Sequence, residues 1–123
     1  LENGTHRRYV SVDGGMSDNL RPSLYGAVYT TVLANRTSSA HNVSSRLVGK
    51  HCETGDIVIS EIDLPADIAP TDLIAVPATG AYGRSMASNY NHVPKPPVIS
   101  VRDGKARVIV RRETEADLLN LDI

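Results

Sequence analysis

The sequence predicts a mainly β domain, a β-barrel or sandwich that carries one or two short helices. Three observations support this class. Val and Ile together number 21, whereas Phe and Trp are absent, and β-branched side chains favour strands. Runs of strand-forming residues are separated by Gly, Pro, Asn and Asp. Finally, Asp103-Gly104 lies between two such runs, as in a type I′ hairpin.

Length and charge limit the functional classes. The 123 residues suit one domain, residues 1–123. Thirteen basic and 14 acidic residues leave a net charge of −1, which argues against nucleic acid and anionic membranes as partners. No apolar run approaches the ~20 residues of a membrane helix, and no signal peptide opens the sequence, so a cytoplasmic protein is expected. A single cysteine excludes an internal disulfide.

The first half of the chain reads as strands joined by loops. A strand over residues 9–13 ends at Gly14-Gly15, and residues 16–26 form a loop or a single helical turn. Strand formers return over residues 26–34. The small polar residues 35–45 predict a mobile loop.

The middle of the chain alternates in the same way. Strands are expected over 46–51 and 56–62, around a tight corner that contains Cys52 and Glu53. Another strand, over 72–76, follows a connection bracketed by prolines. Residues 80–91 have helical spacing, which would place Tyr82 and Tyr90 on neighbouring parts of one face if the helix is continuous.

The last elements have the clearest signals. Strands 98–102 and 105–112 flank Asp103-Gly104 and predict a hairpin with one buried apolar face. That face would carry the residues Ile99, Val101, Ala106, Val108 and Val110. Thr114 and Asp117 form a capping-box pattern that predicts a short helix through Leu121. Six or seven strands are expected in total.

Cys52 is the first candidate for chemistry. A lone cysteine is more often a buried structural thiol. This one lies in a polar corner beside His51 and Glu53, where a packing role would gain little and a charged setting would tune its reactivity. His51 itself is a poor partner for it, because adjacent residues on a strand point to opposite faces. The four histidines lack paired ligand spacing, so no metal site is expected.

Two loops offer weaker candidates. Gly14-Gly15 could cradle an anion, but it lacks the spacing of a phosphate loop and reads better as a structural turn. Arg21 and Tyr25 lie four residues apart around Pro22. An arginine fork suits a carboxylate and a phenol adds a second contact, although such a pair is often only a loop anchor.

Six motifs in order carry a family resemblance. They are Asp13-Gly-Gly-Met-Ser-Asp-Asn19, Arg21-Pro-x-Leu-Tyr25, Gly49-Lys-His-Cys-Glu-x-Gly-Asp56, Thr79-Gly-Ala-Tyr82, Ser85-Met-Ala-Ser-Asn-Tyr-Asn91 and Arg111-Arg-Glu-Thr114. From about Arg7 onwards the chain resembles the C-terminal β-domain of the diaminopimelate decarboxylases, pyridoxal-phosphate enzymes with an alanine racemase-like C-terminal fold. The family often has Cys-Tyr after the motif tyrosine, whereas this chain has Gly83-Arg84.

The resemblance implies one half of a two-domain enzyme that converts meso-diaminopimelate to L-lysine and carbon dioxide. An N-terminal (β/α)₈ barrel, absent from this chain, would carry the Schiff-base lysine and most of the site for pyridoxal phosphate. A homodimer partner would share the active site. By motif, Cys52 would be the proton donor and Glu53 would bind the distal ammonium of the substrate. Arg21 and Tyr25 would bind the same distal end, and Tyr82 would contact cofactor and substrate.

Two alternatives remain open at this stage. The first is a related decarboxylase of ornithine or arginine, although those enzymes tend to have Asp after the cysteine where this chain has Glu53. The second is a non-catalytic β-module used only for dimerisation, which would not require this set of polar residues. On either enzymatic interpretation the 123 residues alone should be inactive, because they lack the cofactor lysine.

Overall fold

Seven strands and several short helical segments make up the computed structural model, which describes residues 7–123. The strands are β1 (Arg8–Ser11), β2 (Val32–Leu33), β3 (Asn42–Val48), β4 (Ile57–Pro65), β5 (Ile74–Ala75), β6 (Val98–Arg102) and β7 (Lys105–Val110). The α-helices are α1 (Arg21–Tyr25), α2 (Gly80–Met86) and α3 (Glu115–Leu118), with 3₁₀ turns at Tyr90–His92 and Leu119–Leu121. The predicted mainly β class is confirmed. Residues 1–6, which include one of the four histidines, His6, lie outside the described residues.

The central sheet has the strand order β1-β3-β4. β3 and β4 are antiparallel, whereas β1 runs parallel to β3 with Arg8 opposite Ser45. Hairpin connections alone do not predict this parallel pairing. The Arg8 guanidinium reinforces it by donating to Ser45 Oγ at 2.8 Å and to the Leu64 carbonyl at 2.7 Å, so one side chain spans all three strands.

The core is small and aliphatic. Leu47, Ile59 and Leu64 are buried, and partly buried apolar side chains pack around them: Val10, Val12, Tyr29, Val58, Ile62, Ile68 and Ile74. The remaining pairs, β2-β5 and β6-β7, form separate two-stranded sheets. Across the described residues the three sheets do not close into a barrel.

Several predicted strand limits were wrong. Of residues 26–34 only Val32–Leu33 form a strand, and of residues 72–76 only Ile74–Ala75 do. These two short segments pair with each other as a two-stranded antiparallel sheet. The predicted loop 35–45 contains the start of β3 at Asn42. Polar residues there join the ladder because β4 supplies partners as far as Pro65, and pairing outweighs their weak strand propensity.

The predicted helix over residues 80–91 was also too long. α2 ends at Met86, and Ala87 is already extended with ψ 145°. Ser88 N–H donates to the Ser17 carbonyl at 2.9 Å, so a tertiary contact replaces the bond that would continue the helix. Tyr90 therefore begins a separate 3₁₀ turn and does not share a continuous helix with Tyr82.

The final hairpin is confirmed, but its predicted burial is wrong. Asp103 and Gly104 have φ of 51° and 71°, as a type I′ turn requires. The pairs Ile99–Val108 and Val101–Ala106 lie opposite each other as expected. Val101 is nevertheless 72% exposed and Val108 is 59% exposed, so this face of the hairpin is largely open to solvent.

The predicted C-terminal helix is present. Thr114 N–H donates to Asp117 Oδ2 at 2.7 Å, which satisfies one of the free donors at the start of α3. Both terminal nitrogens of Arg111 donate to the same carboxylate at 2.6 Å, and these bonds lower the pKa of Asp117. A 3₁₀ turn through Leu121 completes the segment.

Candidate functional site

The corner between β3 and β4 displays Cys52 and Glu53. Gly49 N–H donates to the Asp56 carbonyl at 2.9 Å and closes the corner at its base. Within it, Glu53 N–H donates to the His51 carbonyl at 2.8 Å, and Asp56 N–H donates to the Glu53 carbonyl at 3.1 Å. The Cys52 thiol is exposed. The corner is thus a turn held by three backbone hydrogen bonds, and it exposes a thiol and a carboxylate to solvent.

Asp56 holds this corner to the loop after β1. Its side chain is nearly inaccessible, with 3% of the residue exposed. Oδ1 accepts from Met16 N–H and Oδ2 accepts from His51 N–H, both at 2.7 Å. Two glycines make room for the carboxylate: a Cβ at Gly15 would lie 2.9 Å from Oδ2, and one at Gly49 would overlap the carboxyl group.

His51 adds a second link between the same segments. The ring is buried, and Nε2 lies 2.8 Å from the hydroxyl of buried Ser17. Its outer side meets the Tyr90 ring edge-on, with the ring centroids 5.3 Å apart and an angle of 65° between the planes. His51, the residue before Cys52, is therefore held between Ser17 and Tyr90, and its rejection as a catalytic partner of Cys52 stays a prediction.

Glu53 is anionic at neutral pH. Gly55 N–H donates to Oε1 at 3.4 Å and the Thr54 hydroxyl donates to the same oxygen at 3.3 Å. The Tyr90 hydroxyl donates to Oε2 at 3.4 Å. These bonds, the one from Gly55 first, hold the pKa of Glu53 below its ordinary value. The corner therefore presents a fixed negative charge, which suits an ammonium group.

Arg21 and Tyr25 occupy the first and last positions of α1, so their side chains lie on the same face one turn apart. Pro22 favours the first turn, and Gly26 ends the helix with φ 64°. Arg21 Nη1 donates to the Tyr29 hydroxyl at 3.3 Å, while Tyr25 is 65% exposed.

α1 stands beside the corner. A Cβ at Gly55 would lie 3.7 Å from Ser23 Oγ, so the helix that carries Arg21 and Tyr25 borders the turn that carries Cys52 and Glu53. The structure therefore brings two of the motif segments together as neighbours.

Tyr82 lies in the first turn of α2 and is 63% exposed. α2 packs on the loop after β1, because a Cβ at Gly83 would lie 3.9 Å from the Asp18 carbonyl. That loop thus contacts α2, the corner and Ser88, which lies two residues before Tyr90. No hydrogen bond within the described residues joins Arg21, Tyr25, Cys52 or Tyr82 to one another.

One surface hollow lies between the loop after β1, α2 and the start of β6. It has a volume of about 400 Å³ and an apolar floor that includes Leu47, Val58 and Val76. None of the five predicted site residues lines it. A second hollow of about 480 Å³ lies between Pro22–Tyr29 and β4. Of the five candidates, Arg21 is half-buried, and the other four are exposed: Tyr25, Cys52, Glu53 and Tyr82.

Metal and membrane features are not found in the part of the chain that the structure describes. Residues 7–123 contain no group of three or more His, Cys, Asp or Glu side chains placed to hold a metal ion. In the same range, none of the helices is both long and apolar enough to span a bilayer.

Sequence reasoning missed the residues that support the corner: Ser17, His51, Asp56 and Tyr90. A signal was available. Gly15 closely follows one predicted strand and Gly49 lies within another, and glycine at such positions often marks close approach of another group. Gly14-Gly15 is a structural turn, as predicted, but its second glycine is required by a carboxylate 41 residues further along the chain. Only the fold reveals that partner.

Known proteins match this chain over nearly all its length. The family model for the pyridoxal-dependent decarboxylase C-terminal sheet domain matches residues 2–80. Diaminopimelate decarboxylase of Mycobacterium tuberculosis is 58% identical over 118 residues, which cover 96% of this chain and 26% of that protein. The enzyme of Bacillus subtilis is 51% identical over 117 residues, or 95% and 26%. The chain spans about a quarter of the length of these relatives.

Solved structures give the same picture. Diaminopimelate decarboxylase from Helicobacter pylori complexed with L-lysine superposes with a TM-score of 0.85 at 40% identity, over 96% of this chain and 29% of that one. Arginine decarboxylase from a Paramecium bursaria Chlorella virus reaches a TM-score of 0.60 at 20% identity, over 68% of this chain and 23% of that one. At that identity the viral enzyme shares the fold alone.

Proposed function

Because the chain belongs to the pyridoxal-dependent decarboxylase family, as its C-terminal sheet domain, we propose that its full-length protein is a diaminopimelate decarboxylase. The reaction would convert meso-diaminopimelate to L-lysine and carbon dioxide in the cytoplasm, as a step of lysine biosynthesis. The observation that carries the proposal is the exposed Cys52-Glu53 pair on a braced corner, in a chain that is 58% identical to a diaminopimelate decarboxylase.

Cys52 is proposed as the proton donor. Loss of carbon dioxide breaks a carbon–carbon bond, and the carbon that remains must gain a proton on a defined face. Cys52 Sγ holds that proton and would recover one from solvent afterwards. Thiols suit the task because they are protonated at neutral pH in ordinary surroundings, with a pKa of about 8.5. Exposure of the thiol allows it to meet a substrate that the rest of the enzyme holds.

Glu53, Arg21 and Tyr25 are proposed to bind the distal end of the substrate. That end is a second amino acid group, with one ammonium and one carboxylate. The depressed pKa of Glu53 keeps a negative charge ready for the ammonium. Arg21 supplies the positive fork for the carboxylate, and Tyr25 an exposed phenol one helical turn away. Amino acids with one charged head would leave these groups unpaired and would be excluded.

The residues present fit a supporting contact to pyridoxal phosphate and not its covalent attachment. Tyr82 offers an exposed phenol at the start of α2, and we propose that it contacts cofactor and substrate. Lys50 Nζ is 3.7 Å from Asp18 and Lys95 Nζ is 3.4 Å from Glu113, so these two amines are in ion pairs. The third lysine, Lys105, opens β7 beside the Asp103-Gly104 turn. When bound, the cofactor supplies an electron sink for decarboxylation. The attachment lysine is proposed to belong to an N-terminal barrel domain.

Uncovered surfaces support a larger assembly. The apolar face of the β6-β7 hairpin is exposed here, and exposed apolar surface of this kind usually meets another chain or domain. We propose that the barrel domain and a homodimer partner cover such surfaces and complete the active site. Such partners would account for the solvent exposure of most of the five site residues in the isolated domain.

The test uses the full-length protein loaded with pyridoxal phosphate. It should release carbon dioxide from meso-diaminopimelate and discriminate strongly against ornithine and arginine. Cys52→Ala should slow turnover by about 100-fold or more, because general acid catalysis contributes roughly 10²–10⁴-fold, while cofactor absorbance and dimer mass stay unchanged. Faster decarboxylation of ornithine would refute the substrate assignment, and normal turnover of Cys52→Ala would remove the thiol from the mechanism.

A further inference from the structure

The buried Asp56 carboxylate joins two separate parts of the chain through backbone N–H groups. One oxygen binds Met16 in the loop after β1, and the other binds His51 in the corner. We propose that Asp56 is a positioning residue, which sets where Cys52 and Glu53 stand relative to the rest of the active site. This inference rests on the proposed function, since it concerns the same two side chains.

The geometry of the two bonds makes a carboxylate necessary. Both oxygens accept at 2.7 Å, short distances that are typical of bonds to a charged acceptor. An amide of the same shape has only one acceptor, and its NH₂ group would face an N–H donor at the other position. Asparagine can therefore hold the loop or the corner, but not both.

Close packing around the carboxylate restricts it to this arrangement. The backbone of Gly15 and that of Gly49 come so near that neither residue could carry a Cβ without moving the Asp56 side chain. Asp56 is also the last residue before β4, so the sheet fixes the position of its backbone. The carboxylate is therefore a rigid link between the central sheet and both segments.

The link acts directly on the reactive side chains. His51 N–H donates one of the two hydrogen bonds, and His51 is the residue immediately before Cys52. The Glu53 carbonyl accepts from Asp56 N–H at 3.1 Å, so both neighbours of the thiol depend on this one residue. Misplacement of a reacting group by about 1 Å can cost roughly 100-fold in rate. Loss of one Asp56 bond would allow a displacement of that size.

The experiment compares Asp56→Asn with wild type in the full-length, cofactor-loaded protein. We expect turnover of meso-diaminopimelate to fall by about 10- to 100-fold. KM for meso-diaminopimelate should rise as well, because Glu53 moves with the thiol. Alkylation of Cys52 by iodoacetamide, quantified on its peptide by mass spectrometry, should change severalfold. The alkylation needs no substrate, and its rate reports the exposure and the electrostatic surroundings of the Cys52 thiol.

Asp72→Asn is the matched control. Asp72 is also a nearly inaccessible carboxylate that accepts from a backbone N–H, that of Ala69, at 2.9 Å. Asp72 comes after Pro65, the last residue of β4. The two ends of that strand are about 26 Å apart at roughly 3.3 Å per residue, and Asp56 precedes the other end. Substitution of Asp72 should lower stability yet leave Cys52 alkylation and KM at wild-type values. A general loss of stability would change both variants alike.

Every outcome bears on the inference. If Asp56→Asn folds and keeps normal turnover, KM and alkylation, Asp56 has no positioning role. If it does not fold, Gly15→Ala is the second variant. It keeps both acceptors, and its Cβ would press on the Asp56 carboxylate and on His51 Cδ2, each at 2.9 Å. Normal alkylation and turnover there would refute the inference. Failure of the wild-type protein to decarboxylate meso-diaminopimelate refutes the proposed function only, since the alkylation comparison still tests Asp56.

Discussion

A methyl group at Gly49 would collide with the carboxylate that braces the candidate site. The Cβ of Gly49→Ala would lie 2.6 Å from Asp56 Cγ and closer still to both carboxylate oxygens. Contacts this short do not occur, so either the β3 end or the Asp56 side chain must move. Movement of the side chain would break its bonds to Met16 and His51.

The size of the effect follows from these contacts. Overpacking a filled site costs roughly 1–3 kcal/mol. Loss of one hydrogen bond to a charged group costs roughly 1.5–3 kcal/mol more. The free energy of opening this corner should therefore fall by about 2.5–6 kcal/mol. At about 1.4 kcal/mol per factor of ten, amide exchange there should accelerate by at least about 50-fold.

Hydrogen exchange resolved by mass spectrometry measures this change on peptides that cover residues 9–18 and 45–58. Gly14→Ala is the matched control, because its Cβ would lie an ordinary 3.7 Å from Asp18 Oδ2. It should alter exchange little. Equal exchange rates in wild type and Gly49→Ala would show that the corner accommodates a methyl group without losing its hydrogen bonds. The argument from close packing would then fail.

Two further predictions concern the ion pair at the far end of β4 and the ring beside Glu53. Arg36 donates to Asp72 at 2.6 and 2.7 Å and lowers the pKa of that carboxyl to about 2, so its stabilisation is complete above the ordinary pKa of 3.8 and is lost as the pH falls towards 2. Asp72→Asn should therefore flatten the acid dependence of the unfolding temperature between about pH 4 and pH 2, whereas exposed Asp103→Asn should leave it unchanged; an unaltered acid limb in Asp72→Asn would contradict this. Tyr90→Phe removes the hydroxyl that donates to Glu53 at 3.4 Å and keeps the ring on His51, so the KM for meso-diaminopimelate should rise by about twofold with turnover unchanged. A large fall in turnover would instead assign Tyr90 a part in the chemistry.

The elements that the sequence predicted well are those encoded locally. The turn at Asp103-Gly104 and the start of α3 at Thr114 each depend on a few adjacent residues whose backbone preferences are strong. The Cys52 corner has the same character, since glycine and polar residues between two strand-forming runs predict a tight turn. Residue type and position singled out Cys52, Arg21 and Tyr25, and the family resemblance added Glu53 and Tyr82; the roles of all five stay predictions.

The errors arose where distant partners decide. Residues 26–34 have high strand propensity but find a partner only at Val32–Leu33, whereas polar Asn42 enters β3 because β4 reaches it. The helix predicted to Asn91 stops at Met86, where Ser88 bonds to Ser17 instead. Hydrogen-bond partners are supplied by the fold, so propensity alone does not determine where an element ends.

By itself, therefore, the sequence determined the fold class and the local turns and supplied the candidate site residues, because each depends on residue type and near neighbours. Only the tertiary structure decided how those side chains are held. Asp56 looks like one more acidic turn residue until the parallel pairing of β1 with β3 brings Met16 and His51 to its two oxygens. A buried charge is stable only where such donors meet it, and chain segments far apart in sequence must fold together to supply them.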